Sequence, residues 1–152
     1  MKVYLDNAAT TAVDPEVFEA MRPYMLDLFG NPSSTHSFGR KTKNAIEMSR
    51  KKIAGFLNAE PGEIIFTSGG TEADNLALRS AVRDLKCQRI ITSAAEHSAV
   101  IKTAESLARS EGIDLELVSH FSDGTVDLEH LSALLSSGPK TLVSLMHANN
   151  EV

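Results

Sequence analysis

Apolar residues in the first third of the chain recur at helical spacing. Asp14 and Pro15 mark a helix start, because an acid caps free N–H groups and proline at the first helical position lacks an N–H that would have no partner. The apolar residues that follow share one helical face: Val17, Met21, Tyr24, Met25 and Leu28. Residues 30–34 end this helix. A second helical pattern follows, with basic residues on one side and these apolar residues on the other: Ile46, Ile53, Phe56 and Leu57.

From residue 64 onwards, short apolar runs alternate with helical patterns. The apolar runs predict four strands, at residues 64–67, 89–92, 115–118 and 141–146. The helical patterns predict helices at residues 71–85, 98–111 and 128–135, the last of them capped by Asp127. Strands that alternate with helices indicate right-handed βαβ units. The predicted fold is therefore α/β, with a mostly parallel sheet and flanking helices.

In such sheets, ligands bind beyond the carboxyl ends of the strands. Three loops follow predicted strands there, and we call them the first, second and third loops. They are residues 68–71 (Ser-Gly-Gly-Thr), residues 94–97 (Ala-Ala-Glu-His) and residues 147–151 (His-Ala-Asn-Asn-Glu). The sequence stops just inside the third loop, so we expect the domain to be incomplete at its C-terminal end.

The first loop has the features of an anion site. Its glycines let the backbone approach a ligand closely, and the helix that starts near Thr71 points N–H groups and the positive end of its dipole at the loop. Thr71 adds a hydroxyl donor, whereas Glu72 and Asp74 are expected to point away from an anion. Neither a Lys-Ser/Thr pair nor a GxGxxG pattern is present, so no nucleotide loop is indicated. A capped helix after a flexible turn explains the loop equally well.

The other two loops are ambiguous when each is taken alone. His97 lies at a strand end and a helix start, where an imidazole could cover a flat ring or shuttle a proton. A histidine that only caps the helix is the favoured interpretation in isolation. Asn149 and Asn150 could donate to phenolate or carboxylate oxygens, although an ordinary turn is again the simpler interpretation.

Composition narrows the classes of partner. The chain has 20 acidic and 15 basic side chains and a net charge of −5, which argues against nucleic acid as a partner. No apolar run approaches the length of a membrane span, so no membrane partner is expected. A single cysteine, Cys87, excludes a disulfide within these residues and favours a reducing, cytoplasmic setting. It also makes a thiolate metal site unexpected.

Five segments in this order resemble the N-terminal part of cysteine desulfurases of the NifS/IscS type, pyridoxal-phosphate enzymes of the class V aminotransferase group. The segments are YLDNAATT (4–11), FGNPSSTHSFG (29–39), FTSGGTEADN (66–75), AEHSAV (95–100) and SLMHANNEV (144–152). The resemblance covers essentially the whole chain. It implies that residues 15–152 are the N-terminal part of the cofactor-binding large domain of a fold-type I enzyme. Residues 1–14 would be an N-terminal segment near the active-site entrance.

The resemblance also implies a cofactor, pyridoxal 5'-phosphate, and roles for particular residues. Gly70 and Thr71 would bind the cofactor phosphate. His97 would stack on the pyridine ring and assist proton transfer as a catalytic residue. Asn150 would hydrogen-bond the phenolic oxygen of the cofactor or the substrate carboxylate. Further residues would lie near the active-site entrance: Asn7, Ala8, Thr10, Asn31 and His36.

The implied reaction removes sulfur from L-cysteine and gives alanine and a protein persulfide, for iron–sulfur cluster assembly or other sulfur delivery. A homodimer and a sulfur-acceptor or scaffold protein are the implied partners. The family's Schiff-base lysine and sulfur-accepting cysteine would lie beyond Val152, so we expect residues 1–152 alone to be inactive.

Two alternatives to a cysteine desulfurase stay open at this point. The first is a selenocysteine lyase-like class V enzyme. The second is a non-catalytic or split half-domain that binds a phosphorylated ligand or a second polypeptide completing the fold.

Overall fold

The computed structural model describes residues 1–149 of the chain. The chain divides into two compact units, residues 1–66 and residues 67–152, which we call the first and second units.

The first unit is helical. Helix α1 spans Pro15–Leu26 and helix α2 spans Ser37–Leu57, followed by a short 3₁₀ turn at Pro61–Glu63. The predicted start of α1 is confirmed, since the Asp14 carboxylate accepts the Glu16 N–H at 2.8 Å. The α2 helix ends at Asn58, which adopts the left-handed conformation with φ of 51°. Asparagine tolerates that conformation better than most residues, so the C-terminus of α2 also follows from the local sequence.

The strand predicted at residues 64–67 is wrong. The backbone is extended at Ile64, but no strand within residues 1–149 pairs with this run, and Ile65 and Phe66 are exposed. The run is instead held by Arg50, whose guanidinium donates to the Ile64 carbonyl and lies 4.8 Å from the centre of the Phe66 ring. An apolar run becomes a strand only when a neighbouring strand takes up its backbone hydrogen bonds.

The second unit confirms the predicted parallel α/β arrangement. Its elements, in chain order, are α3 (Gly70–Arg83), β1 (Arg89–Ser93), α4 (Ser98–Glu111), β2 (Asp114–Val118), α5 (Leu128–Leu135) and β3 (Thr141–Val143). The strand order is β2-β1-β3, and both pairings are parallel, with Ile90 opposite Leu115 and Leu142. The strand β3 is shorter than predicted, although the Ser144 N–H still donates to the Ile91 carbonyl at 3.0 Å.

The core of the second unit lies where α3 and α4 pack on one face of the central strand. Every residue of β1 is buried, as expected for a middle strand of a parallel sheet. The buried apolar residues that form one contact cluster are Leu78, Val82, Ile90, Val100, Ala104 and Leu107.

A buried arginine joins the three strands at their amino ends. Arg89 begins β1 and is only 7% exposed. Its Nε donates to Thr141 Oγ1 at 2.8 Å on β3, one terminal nitrogen lies 3.2 Å from Glu116 Oε1 on β2, and the other donates to the Ser137 carbonyl at 3.0 Å. Gly138 lies against this guanidinium, since a Cβ at that position would be 2.9 Å from the nearest arginine nitrogen. The fork-shaped donor set of this β1 arginine therefore satisfies polar groups on β2, on β3 and in the segment that precedes β3.

We expect Arg89→Met to lower the free energy of unfolding by about 2–3 kcal/mol, because it leaves several hydrogen-bond acceptors without their buried donor. Urea unfolding of the full-length protein measures this. Arg109→Met is the matched control, since Arg109 is exposed on α4 and lies 3.9 Å from Glu105. That change should cost less than about 0.5 kcal/mol. Equal losses in the two variants would contradict a special role for Arg89.

Candidate active site

Helices α3 and α4 begin at the same end of the second unit. Arg83 closes α3 and Glu111 closes α4, and the guanidinium donates twice to Glu111 Oε1, at 2.9 and 2.7 Å. The helices pack along their lengths, and each has 14 residues. Because they pack together and their carboxyl ends are joined, the two helices run in the same direction. The structure thus brings Gly70 and Thr71 of the first loop to the same end as His97.

The first loop presents backbone donors to solvent. Gly69 precedes α3 without a side-chain cap, and the first hydrogen bond of the helix runs from the Ala73 N–H to the Gly69 carbonyl at 3.1 Å. The amides of Gly70 and Thr71 therefore come before the helical ladder begins. A Cβ added at either glycine would meet nothing within 4 Å, so the space beside the loop is open.

The expectation that Glu72 points away from the first loop is wrong. Its carboxylate turns back and accepts the Ser68 N–H at 2.6 Å and the Ser68 hydroxyl at 2.7 Å. The hydroxyl and then the amide of Ser68 hold the pKa of the Glu72 carboxyl below its usual range. The donors of Ser68 are consequently taken, and the donors left for an anion include the amides of Gly70 and Thr71 and the Thr71 hydroxyl.

His97 caps helix α4 with one nitrogen of its ring. Nδ1 accepts the Ala99 N–H at 3.1 Å, so the neutral imidazole carries its proton on Nε2. The side chain is otherwise exposed. The capping interpretation is therefore correct, but it uses only Nδ1 and leaves the Nε2–H and both ring faces accessible.

The second and third loops are tied together. Asn149 Nδ2 donates to the Ala95 carbonyl at 2.7 Å, and Glu96 Oε1 accepts the Met146 N–H at 2.5 Å. Asn150, for which a ligand contact is predicted, lies outside the described residues.

Sequence reasoning missed a serine–histidine pair at this edge of the sheet. Ser93, the last residue of β1, is buried, and its Oγ lies 2.8 Å from His120 Nε2 while accepting the Ala95 N–H at 2.9 Å. His120 comes two residues after the end of β2. Its position at the carboxyl end of a predicted strand is the sequence signal that could have identified it.

An open cavity of about 760 Å³ lies among the loops that follow all three strands. It is lined by residues 93–95, 120–126, 145–147 and 149. At its rim Asp123 accepts the Thr125 N–H at 2.9 Å, and this bond lowers the pKa of the Asp123 carboxyl. Gly70, Thr71 and His97, for which cofactor contacts are predicted, do not line this cavity.

The described residues contain no cluster of side chains suited to bind a metal ion. Within residues 1–149 no group of three or more His, Cys, Asp or Glu side chains is placed to hold a metal ion. Cys87 is buried at 6% exposure and precedes β1, at the opposite end of the sheet from the loops. Over the same described range, no helix combines the length and the apolarity needed to cross a bilayer.

Curated relatives are similar to this chain over almost its full length. A cysteine desulfurase from Nostoc sp. is 45% identical over 150 residues, which cover 98% of this chain and 37% of that protein. The cysteine desulfurase IscS of Dictyoglomus turgidum is 46% identical over 99% of this chain and 38% of that protein. The chain thus spans less than two fifths of the length of these relatives.

Solved structures and a family description agree with these relatives. A NifS-like protein superposes with a TM-score of 0.92 at 39% identity, over 100% of this chain and 42% of its own. The structure of SspA in complex with cysteine gives a TM-score of 0.85 at 34% identity, over 95% of this chain and 42% of its own. The family described as aminotransferase class-V matches residues 3–152. With the parallel sheet and the loops at its carboxyl edge, these similarities show that the chain belongs to the class-V aminotransferase family.

Proposed function

We propose that this protein is a pyridoxal-phosphate-dependent cysteine desulfurase, which removes sulfur from L-cysteine and leaves alanine and a protein persulfide. The observation that carries the proposal is the 45% identity to a cysteine desulfurase over 98% of the chain. The curated relatives named above are desulfurases, and this favours the enzyme over a non-catalytic half-domain.

The donor set at the first loop fits a phosphate group. Two backbone amides and a hydroxyl lie in the first turn of the 14-residue helix α3, where the helix dipole favours negative charge. The ionised Glu72 lies next to this position, but its carboxylate is engaged with Ser68. We therefore assign Gly70 and Thr71 to the cofactor phosphate. Bound pyridoxal phosphate would supply an electron sink for bonds at the substrate Cα.

We assign His97 to the face of the cofactor ring. Its imidazole is flat and exposed, and the bond from the Ala99 N–H to Nδ1 fixes the ring so that Nε2 bears the proton. As the neutral Nε2–H tautomer, the ring donates a hydrogen bond toward the ligand, and we propose that it assists proton transfer as a general base once the proton lies on Nδ1 and the Nε2 lone pair is free. Asn150 is proposed to bind the phenolic oxygen of the cofactor or the substrate carboxylate.

The wider context of the reaction is also part of the proposal. We propose a homodimer in the cytoplasm that passes sulfur to an acceptor or scaffold protein, with iron–sulfur cluster assembly as the destination suggested by the IscS relatives. Cys87 is given no part in sulfur transfer, because it is buried at the far end of the sheet.

We expect Thr71→Ala to weaken pyridoxal-phosphate binding by roughly tenfold or more, the effect of losing one charge-assisted hydrogen bond. Absorbance titration of the cofactor-free, full-length protein measures the dissociation constant. Ser110→Ala serves as the control, since Ser110 is exposed near the other end of α4. Unchanged cofactor affinity in the Thr71 variant would remove the phosphate assignment.

His97→Asn separates capping from chemistry, because asparagine is a good helix cap but has no imidazole. We expect the variant to keep its cofactor and its melting temperature while turnover of cysteine falls by about 10²–10⁴-fold, the usual range for a general acid–base group. Sulfide release under reducing conditions reports the turnover. If His97→Asn turns over like the wild type and only His97→Ala is impaired, His97 acts as a cap alone.

A further inference from the structure

The second loop is held at Ala95 through both of its backbone polar groups. The Ala95 N–H donates to the buried Ser93 Oγ at 2.9 Å, and the Ala95 carbonyl accepts Asn149 Nδ2 at 2.7 Å. Ser93 is itself paired with His120 at 2.8 Å. Ala95, two residues before His97, is therefore hydrogen-bonded both to the last residue of β1 and to the segment that follows β3.

Glu96, the residue immediately before His97, adds another hydrogen bond between the second loop and the segment that follows β3. Its Oε1 accepts the Met146 N–H at 2.5 Å, across 50 residues of sequence. The side chain is half-buried, so water competes less for this carboxylate than on an open surface. Hydrogen bonds to carboxylates are shorter and stronger than neutral ones. Among these contacts, the Glu96 bond lies nearest in sequence to His97.

The imidazole of His97 itself makes one hydrogen bond, with the helix that it caps. Nδ1 accepts the Ala99 N–H at 3.1 Å, and the chain enters α4 there with His97 in an extended conformation at φ of −57° and ψ of 145°. That bond exists only while the backbone enters α4 at this angle. A shift of Glu96 would change the entry angle and carry the ring away from the Ala99 amide.

We propose that Glu96 is a positioning residue for His97. By anchoring the second loop to Met146, its carboxylate holds the His97 ring in one orientation and one tautomer, with Nε2–H outward. The purpose of this arrangement rests on the proposed function, since a ring that covers a cofactor and moves a proton must be placed to within a fraction of an ångström.

The test compares Glu96→Ala with Glu96→Gln in cofactor-free, full-length protein. Glutamine keeps a carbonyl oxygen that can accept the Met146 N–H, whereas alanine removes the acceptor. We expect the Ala99 amide of Glu96→Ala to exchange with solvent about tenfold faster than in the wild type, as when one good hydrogen bond is lost. ¹⁵N spectra of labelled histidine should show a single His97 tautomer in the wild type and a mixture in Glu96→Ala. Glu96→Gln should remain close to the wild type in both measurements.

Two controls test whether the effect of Glu96→Ala is confined to the second loop. Glu105→Ala, an exposed change on α4, should leave the Ala99 amide and the His97 tautomer unchanged. The buried Ile91 amide should exchange at the wild-type rate in both Glu96 variants. The proposal is overturned if Glu96→Ala behaves like the wild type, if Glu96→Gln is as impaired as Glu96→Ala, or if exchange accelerates equally throughout β1.

Activity is measured separately, so the two proposals can fail independently. If the tautomer and exchange results are as expected but the protein releases no sulfide from cysteine, the positioning role stands and the desulfurase assignment fails. If sulfide release is normal and Glu96→Ala leaves His97 undisturbed, the positioning role fails and the desulfurase assignment stands.

Discussion

The central strand β1 is paired on both edges and buried on both faces, and the second unit depends on that placement. All five of its residues pair with β2 and the first three also pair with β3, and both neighbours run in the same direction. Parallel pairing has a geometric consequence, because every strand ends at the same edge. The three segments that leave β1, β2 and β3 are therefore neighbours before any side chain is considered. The polar side chains at that edge then tie those neighbours to one another.

Features that depend on residues within a few positions of each other could be predicted from the sequence. Helices α4 and α5 occupy the predicted residues, and Asp127 caps α5 by accepting the His130 N–H at 2.9 Å. Capping and helical periodicity are local, so a single sequence contains all the information they need. The alternation of strands and helices was enough to predict the parallel sheet, because handedness and connection rules leave few arrangements.

Features that depend on distant partners could not be predicted. The apolar run at residues 64–67 has strand-like composition, but its state depends on a neighbour that composition does not identify. The contact of Ser93 with His120 joins residues 27 positions apart, and the sequence around either residue does not identify its partner. Glu72 was expected to point away from an anion in the first loop, yet its carboxylate is bound by the two donors of Ser68 in that loop. For Gly70, Thr71 and His97, the sequence and topology predict a shared location, and their roles toward a ligand remain predictions, as does the role of Asn150.

Gly138 and Arg89 restrict which residues can occupy each other's position, and the restriction is stronger at position 138. Gly138 is restricted twice, by a φ of 115° that disfavours any side chain and by the guanidinium that fills the space where a Cβ would lie. Arg89 is restricted by its acceptors but does not require a particular backbone at position 138. A side chain at position 138 would therefore have to displace the guanidinium from its acceptors and also adopt a strained backbone. A shorter residue at position 89 would remove the contact but not the strain, so position 138 favours glycine with or without the arginine.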